Sequence, residues 1–166
     1  MALTIEDGTI VADADSYATA TELTTYAGNY GFTLPATDGE KEALLRRAAL
    51  QMNAERWKGS RVEATQSLAW PRECVVVDCE VIASDSIPAR IQYGQMALAC
   101  EIYQDDTDPV DARKGAVLRQ KVDVVEVEYA VASTNTARLL PAAPDRQSRA
   151  QFADYLMTRG LFAVRA

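Results

Sequence analysis

Few side chains in this sequence combine a type and a spacing that suit catalysis or metal binding. The 166 residues include no histidine, which removes the commonest general base and the Ser–His and Cys–His pairs. Glu126 and Glu128 would point the same way on a strand, but the charged pattern around them indicates a solvent-facing side. Asp13 and Asp15 could contact a metal ion, yet no further ligand completes a site. Because nucleotide-binding and hydrolase motifs are also missing, we predict that the chain is not an enzyme and uses no cofactor or metal.

The cysteines predict neither a disulfide framework nor a zinc site. Cys74, Cys79 and Cys100 are odd in number, and the first two are five residues apart rather than spaced as C-x-x-C. Without histidine, a zinc ion would need three cysteines and a carboxylate, which is a rare ligand set. We expect buried, reduced thiols in an intracellular protein.

The length and the N-terminal sequence are typical of a single intracellular domain. Glu6 and Asp7 lie where a signal peptide needs positive charge followed by an apolar stretch. No run approaches the roughly 18 to 20 apolar residues of a membrane helix. We therefore expect no targeting segment and no membrane partner.

Charge is unevenly distributed along the chain. Residues 137–166 hold five arginines and two aspartates, which gives +3, whereas the remainder sums to −10. An acidic body disfavours a stand-alone nucleic-acid binder, which needs basic surface to displace counterions. The basic end suggests docking on an acidic surface, although a segment this short can also differ by chance.

Helical patterns dominate the first two thirds of the sequence and predict a mainly α fold. Capping-box spacings open helices at about 20–30 and 40–58, and a third helix is expected at about 87–104 with Pro88 in its first turn. Asp85 or Ser86 would cap this third helix. Gly94 inside it either lets another backbone approach closely or is neutral. Trp57 and Trp70 are expected to be large buried anchors.

Shorter patterns predict strands and a separate C-terminal segment. Residues 75–82 suit one short strand, and 117–130 suit a bent strand, with a bulge where the alternation slips at Val124–Val125. That strand is also compatible with a hairpin whose other arm begins near Val117. We place the core domain at 1–132 and a linker with a docking segment at 133–166, including a short helix at about 146–159. Apolar residues beyond such a linker either pack back on their own domain or dock on a neighbour.

Five parts of the sequence together resemble a known family. They are EDGTIVADADSY, the tyrosine-bearing first helix, ALLRRAALQMNAERWKGSR, QSLAWPR and IASDSIPARIQYGQMALA. In this order they are similar to head–tail connector, or adaptor, proteins of long-tailed bacteriophages, some of which carry the label DnaT-like single-stranded DNA-binding protein. The resemblance covers roughly residues 3–130, with a looser match in the C-terminal part.

This resemblance implies a structural virion protein with a small helical bundle and a β-hairpin or extended arm. Such proteins form a ring, usually of twelve copies, that continues the DNA channel below the portal protein and contacts the next neck or tail protein. The expected location is the virion neck, after assembly in the host cytoplasm. Docking on the portal or on a neighbouring copy would use the C-terminal segment, namely Arg138, Arg146, Arg149, Phe152, Tyr155, Leu156, Arg159, Leu161 and Phe162.

An acidic body also suits a channel through which packaged double-stranded DNA passes without specific binding, because carboxylates repel phosphates. The candidate channel-facing acids are Asp105, Asp106, Asp108, Glu126 and Glu128. The first three of these are expected to lie in an acidic surface turn that lacks the spacing of a calcium loop.

The alternative function is single-stranded DNA binding, which needs a basic groove with aromatic side chains for base stacking. One part of the chain offers both residue types, namely Arg46, Arg47, Arg56, Trp57, Lys58 and Arg61. A simpler interpretation makes Arg46, Arg47 and Lys58 the solvated face of the second helix and Trp57 its core contact.

Overall fold

The structure, a computed structural model, describes residues 3–107, 117–121, 126–129 and 146–157, with backbone alone for the second and third of these ranges. The predicted mainly α fold is confirmed. The helices are α1 (Ala20–Tyr30), α2 (Asp38–Asn53), α3 (Ala89–Thr107) and α4 (Gln147–Phe152), and a 3₁₀ turn (Ala153–Tyr155) follows α4. The strands are β1 (Ser60–Arg61), β2 (Arg72–Glu73), β3 (Val76–Val77), β4 (Glu80–Val81), β5 (Val117–Lys121) and β6 (Glu126–Tyr129). They pair in sequence order as two-stranded antiparallel sheets.

Helix α1 begins and ends where its sequence signals predict. The Thr19 hydroxyl accepts from the backbone N–H of Glu22, whose carboxylate accepts from the backbone N–H of Thr19, so the capping box is complete. Gly31 ends the helix in the left-handed conformation, at φ 73°. Local capping energies alone account for both ends.

Helix α2 ends at Asn53, five residues before the predicted end at 58. The chain turns there because Trp57 is drawn into the core, where its indole N–H donates to the Met52 carbonyl over 2.7 Å. Gly59, the predicted stop, instead lies at φ +68° in the approach to β1. A Cβ at Gly59 would be 2.1 Å from the Glu73 carbonyl oxygen, so only glycine fits the turn.

Helix α3 is the central element and differs from its prediction at both ends. It begins at Ala89, after Pro88, and the Ser86 hydroxyl donates back to the Ala83 carbonyl rather than capping the helix. At the other end it continues to Thr107. Asp105 and Asp106 are therefore helical, and the predicted acidic turn is wrong for both.

Gln95 connects α3 to two other parts of the core. Its side chain is fully buried, donates to the Leu45 carbonyl of α2 and accepts from the Tyr17 backbone N–H. A buried amide with these partners stabilises one relative position of the elements, because any shift leaves a polar group unpaired.

The region 75–82, predicted as one strand, is a tight hairpin of β3 and β4. Asp78 and Cys79 both have positive φ, at 51° and 68°, as a two-residue type I′ turn requires. The second arm near Val117 is confirmed as β5, which pairs with β6 and carries a register shift between Val117 and Arg119. The bulge predicted at Val124–Val125 lies outside the described residues.

The C-terminal residues 146–157 belong to the core and extend it beyond the predicted boundary at 132. Helix α4 packs along α3, and Leu156 forms a β-bridge with Trp57.

None of the described helices combines the length and the hydropathy that a membrane-spanning helix needs.

Candidate functional site

The residues that carry the family resemblance mostly stabilise the fold. In QSLAWPR, the Gln66 amide donates to the Leu68 and Pro71 carbonyls, and Trp70 is fully buried. The Arg72 guanidinium donates to the carbonyls of Lys58, Ala69 and Gly59. Desolvation by the surrounding protein lowers the pKa of Arg72. These contacts close the segment on itself and bind it to the Lys58–Gly59 backbone, so the motif forms a structural clamp.

The two tryptophans are core anchors, as predicted. Trp57 meets Trp70 edge-to-face at 5.9 Å between ring centroids and meets Phe152 in the same way at 5.1 Å. Trp70 makes an equivalent contact with Tyr155 at 5.6 Å. Because both indoles are buried, neither offers a face on which a nucleotide base could stack.

The basic residues of the single-stranded DNA alternative divide into two groups. Arg46 contacts Asp15 at 2.6 Å and Glu42 at 3.6 Å, and Arg47 pairs with Asp106. The second pair raises the pKa of Arg47 and lowers the pKa of Asp106. Both arginines are thus already engaged by carboxylates.

The second group, Arg56, Lys58 and Arg61, follows α2. Arg56 and Arg61 are exposed, and among the described residues none of the three forms an ion pair. The backbone here also pairs with the end of the described chain, since the Met157 N–H donates to the Arg56 carbonyl at 2.9 Å. This trio is a small basic surface.

Two of the five candidate channel acids are paired on the body. Asp105 binds Arg146 at 2.8 Å, and Asp106 binds Arg47. For Glu126 and Glu128 the structure gives only backbone positions in β6, and Asp108 lies outside the described residues. Among the described residues, no cluster of potential metal ligands occurs.

The predicted docking segment packs largely on its own chain. Phe152, Tyr155 and Leu156 are buried in the core, so these three side chains are not available to a partner, which corrects that part of the prediction. Arg149 contacts Glu55 at 3.5 Å. Arg138, Arg159, Leu161 and Phe162 lie outside the described residues.

A buried carboxylate holds α4 in place. Glu101 of α3 accepts from the Ser148 backbone N–H at 3.0 Å and from the Ser148 hydroxyl at 2.6 Å. Both residues are buried, and Ser148 lies in the first turn of α4, where free N–H groups favour an acceptor.

The cysteine prediction is correct for one residue of three. Cys100 is buried on α3, where desolvation and nearby Glu101 raise its pKa to about 12. Cys74 and Cys79 are exposed, at the base and the tip of the β3–β4 hairpin. The hairpin places both outside the core, which the apolar run 75–77 did not indicate.

An open cleft lies between α1 and α3 on the described surface. Its volume is about 380 Å³. It is lined by Tyr17, Ala18, Thr21, Glu22, Thr25, Tyr26, Asn29, Tyr30, Gln92, Tyr93 and Met96. We call this feature the tyrosine cleft.

Three nearly parallel rings define the tyrosine cleft. Tyr26 stacks on Tyr30 at 4.3 Å and faces Tyr93 at 6.2 Å. Tyr26 is buried, whereas Tyr30 and Tyr93 are 51% and 46% exposed. Burial raises the pKa of Tyr26, so its hydroxyl is neutral at ordinary pH.

The lining of the tyrosine cleft includes one carboxylate, Glu22, and no lysine or arginine. Aromatic faces beside a carboxylate attract apolar groups and cations but not phosphates. This cleft was not predicted from the sequence. The available signal was Tyr26 and Tyr30, four residues apart on α1, but nothing local linked them to Tyr93.

Comparison with known proteins gives one match. The sequence profile of a family described as "Putative DnaT-like ssDNA binding protein" matches residues 1–165. This description agrees with the single-stranded DNA alternative and makes no mention of a connector. No curated protein and no solved structure matches the chain.

Proposed function

We propose that this chain, which belongs to the DnaT-like family whose profile spans it, is a non-enzymatic structural protein of a tailed-phage virion. In this proposal it is a head–tail connector that forms a ring under the portal protein. The tyrosine cleft is the observation that carries the proposal. Aromatic rings and a carboxylate, without a cation, suit a protein segment better than a nucleic acid.

The charge of the body supports the same role. The side chains described in 3–107 and 146–157 comprise 10 basic and 18 acidic groups, a net charge of −8. A ring with such a surface repels phosphates, so packaged double-stranded DNA could move through it without binding. The proposed partners are the portal protein, neighbouring copies and the next neck or tail protein. The proposed location is the virion neck, with no cofactor and no membrane contact.

Mixing the purified chain with the portal protein of the same virus tests this function. We expect negative-stain images of the mixture to show an extra ring of density below the portal, with a symmetry that gives the copy number. Portal particles that stay unchanged, while circular dichroism shows the chain to be folded, would contradict the proposal.

Single-stranded DNA binding is the second candidate, and the family description favours it. In the structure, the feature that suits it is the basic trio Arg56, Lys58 and Arg61, which lacks ion-pair partners in the described ranges. Binding through three phosphate contacts would give a slope of roughly −2 in log affinity against log salt.

Fluorescence anisotropy with a labelled oligothymidylate separates the two candidates. The connector proposal predicts no saturable binding at physiological salt, for the natural chain and for Arg56→Ala/Lys58→Ala/Arg61→Ala alike. Micromolar or tighter binding that the triple variant abolishes would instead establish the DNA-binding function.

A further inference from the structure

We propose that the tyrosine cleft binds the C-terminal segment, residues 158–166, of a second copy of this chain. The inference deepens the proposed function and rests on it, because it assigns the contact that joins neighbouring copies. Its basis is the match between the chemistry of the cleft and the sequence of the segment.

The cleft offers three kinds of contact to a basic, apolar peptide. The half-exposed rings of Tyr30 and Tyr93 present faces for a guanidinium group or for apolar side chains. The Glu22 carboxylate lies in the same lining and can pair with an arginine. The Asn29 and Gln92 amides line the cleft as well and can bind a peptide backbone.

The segment TRGLFAVRA supplies the complementary groups. It carries Arg159 and Arg165, has no acidic side chain, and places Leu161 and Phe162 between the two arginines. It follows Met157, which is 57% exposed at the edge of the body. Nine residues can span about 30 Å when extended, which is enough to reach an adjacent molecule.

The position of the cleft on α3 favours a neighbouring copy over the same chain. Gly94 faces α4, because a Cβ there would lie 2.0 Å from the Phe152 ring. At 100° per residue, Gln92 and Met96 lie about 160° from Gly94 around the helix, on the side of the cleft. The C-terminal end of α4, at Phe152, therefore packs on the side of α3 opposite the cleft, whereas Gln147 at its start lies 3.4 Å from the Tyr26 hydroxyl.

Peptide binding to the full-length chain tests the inference. The probe is a fluorescent peptide with the sequence of residues 158–166, and its binding is measured by fluorescence anisotropy. We expect saturable binding that weakens at least about tenfold in Tyr30→Ser/Tyr93→Ser, because two ring contacts are lost. Glu22→Gln, which can still complete the α1 capping box, should weaken the natural peptide but not one with both arginines replaced by alanine.

The matched control is Leu50→Ala, since Leu50 is 70% exposed on α2 and outside the cleft. This variant should bind the peptide as the natural chain does. Absence of binding to the folded chain, or equal binding by the double tyrosine variant, would overturn the inference.

A photo-crosslinking residue at position 30 of the full chain distinguishes the two sources of the segment. We expect crosslinks to residues 158–166 in a product of twice the chain mass, and crosslinks confined to single-chain products would sink the proposal of a second copy. If the peptide fails to bind while portal imaging still shows a ring, only this inference fails. If no ring forms while the peptide binds, the connector function fails instead.

Discussion

The two sides of helix α3 are built from neighbouring residues, yet one side is covered by protein and the other borders an open cleft. On one side α4 covers the helix, with Phe152 placed over Gly94 and the Glu101 carboxylate bound to the start of α4. On the other side Tyr93 faces α1 across an open cleft of about 380 Å³.

One residue position separates these outcomes. Gly94 has no side chain, so an aromatic ring from the C-terminal segment occupies the space directly above the backbone. Tyr93 is next in sequence, about 100° around the helix, and keeps 46% of its surface exposed. A glycine therefore closed one side by admitting a ring, whereas the rings of the other side stack only partly and leave room for an external group.

Removing one aromatic ring from each side should give the largest difference in stability. We expect Phe152→Ala to lower the free energy of unfolding by about 3–5 kcal/mol, because a buried ring leaves a cavity. Tyr93→Ala should cost less than about 1 kcal/mol, because half of the ring already contacts solvent. Urea unfolding followed by circular dichroism measures both, and equal losses would show that the cleft side is packed as tightly as the α4 side.

Adding a methyl group to the closed side should also be destabilising. We expect Gly94→Ala to cost about 1–3 kcal/mol, because the new Cβ would overlap the Phe152 ring and the core must shift. Gly28→Ala on α1 is the control, since a Cβ there meets nothing within 4 Å. It should raise stability by up to about 1 kcal/mol through helix propensity. Thermal melting of the two variants gives the comparison, and a stabilised Gly94→Ala would mean that α4 does not press on α3.

The polar contact that fixes α4 should show coupling between its two residues. We expect Glu101→Gln to cost about 1–3 kcal/mol, because a buried charged acceptor of two hydrogen bonds is replaced by a weaker one. Combining it with Ser148→Ala should cost less than the sum of the single changes, by at least about 0.5 kcal/mol. Strict additivity in urea unfolding would show that the two side chains act independently.

The smallest effect concerns an exposed pair at the end of α3, away from both sides. Arg47 holds the pKa of Asp106 below its usual value, so the pair stabilises the fold above the unfolded pKa and loses this contribution as pH falls through the folded pKa. Since both side chains are half exposed, the contribution at neutral pH should stay below about 1 kcal/mol. Asp106→Asn should therefore differ from the natural chain at pH 7 and match it near about pH 2, and a difference that persists in acid would contradict this assignment.

Local signals were sufficient for the elements whose ends depend on neighbouring residues. Thr19, Glu22 and Gly31 defined α1 because capping groups act within one turn of the helix. The end of α2 could not be predicted in the same way, because burial of Trp57 outweighed the weak preference of residues 54–58 for continuing the helix. Cys74 and Cys79 were predicted to be buried, but they lie in an exposed hairpin, because exposure depends on contacts that local sequence does not specify.

The candidate sites depended on contacts between distant parts of the chain. Periodicity identified Phe152, Tyr155 and Leu156 as an apolar face but left open whether that face meets the same molecule or another. This face meets the same molecule because two features of α3, some fifty residues earlier in the chain, receive it. Gly94 leaves space for the Phe152 ring, and the Glu101 carboxylate accepts hydrogen bonds from Ser148.

By itself the sequence determined the mainly α composition, the start and end of α1, the burial of the two tryptophans and the resemblance to one family, because these depend on residue type and local spacing. Only the tertiary structure decided which arginines are paired, which cysteines are exposed and where tyrosines from two helices form a cleft. Ion pairing, burial and the shape of a cleft depend on which side chains meet across the core. For residues far apart in sequence, such as Tyr30 and Tyr93, the local sequence does not indicate that they will lie in the same cleft.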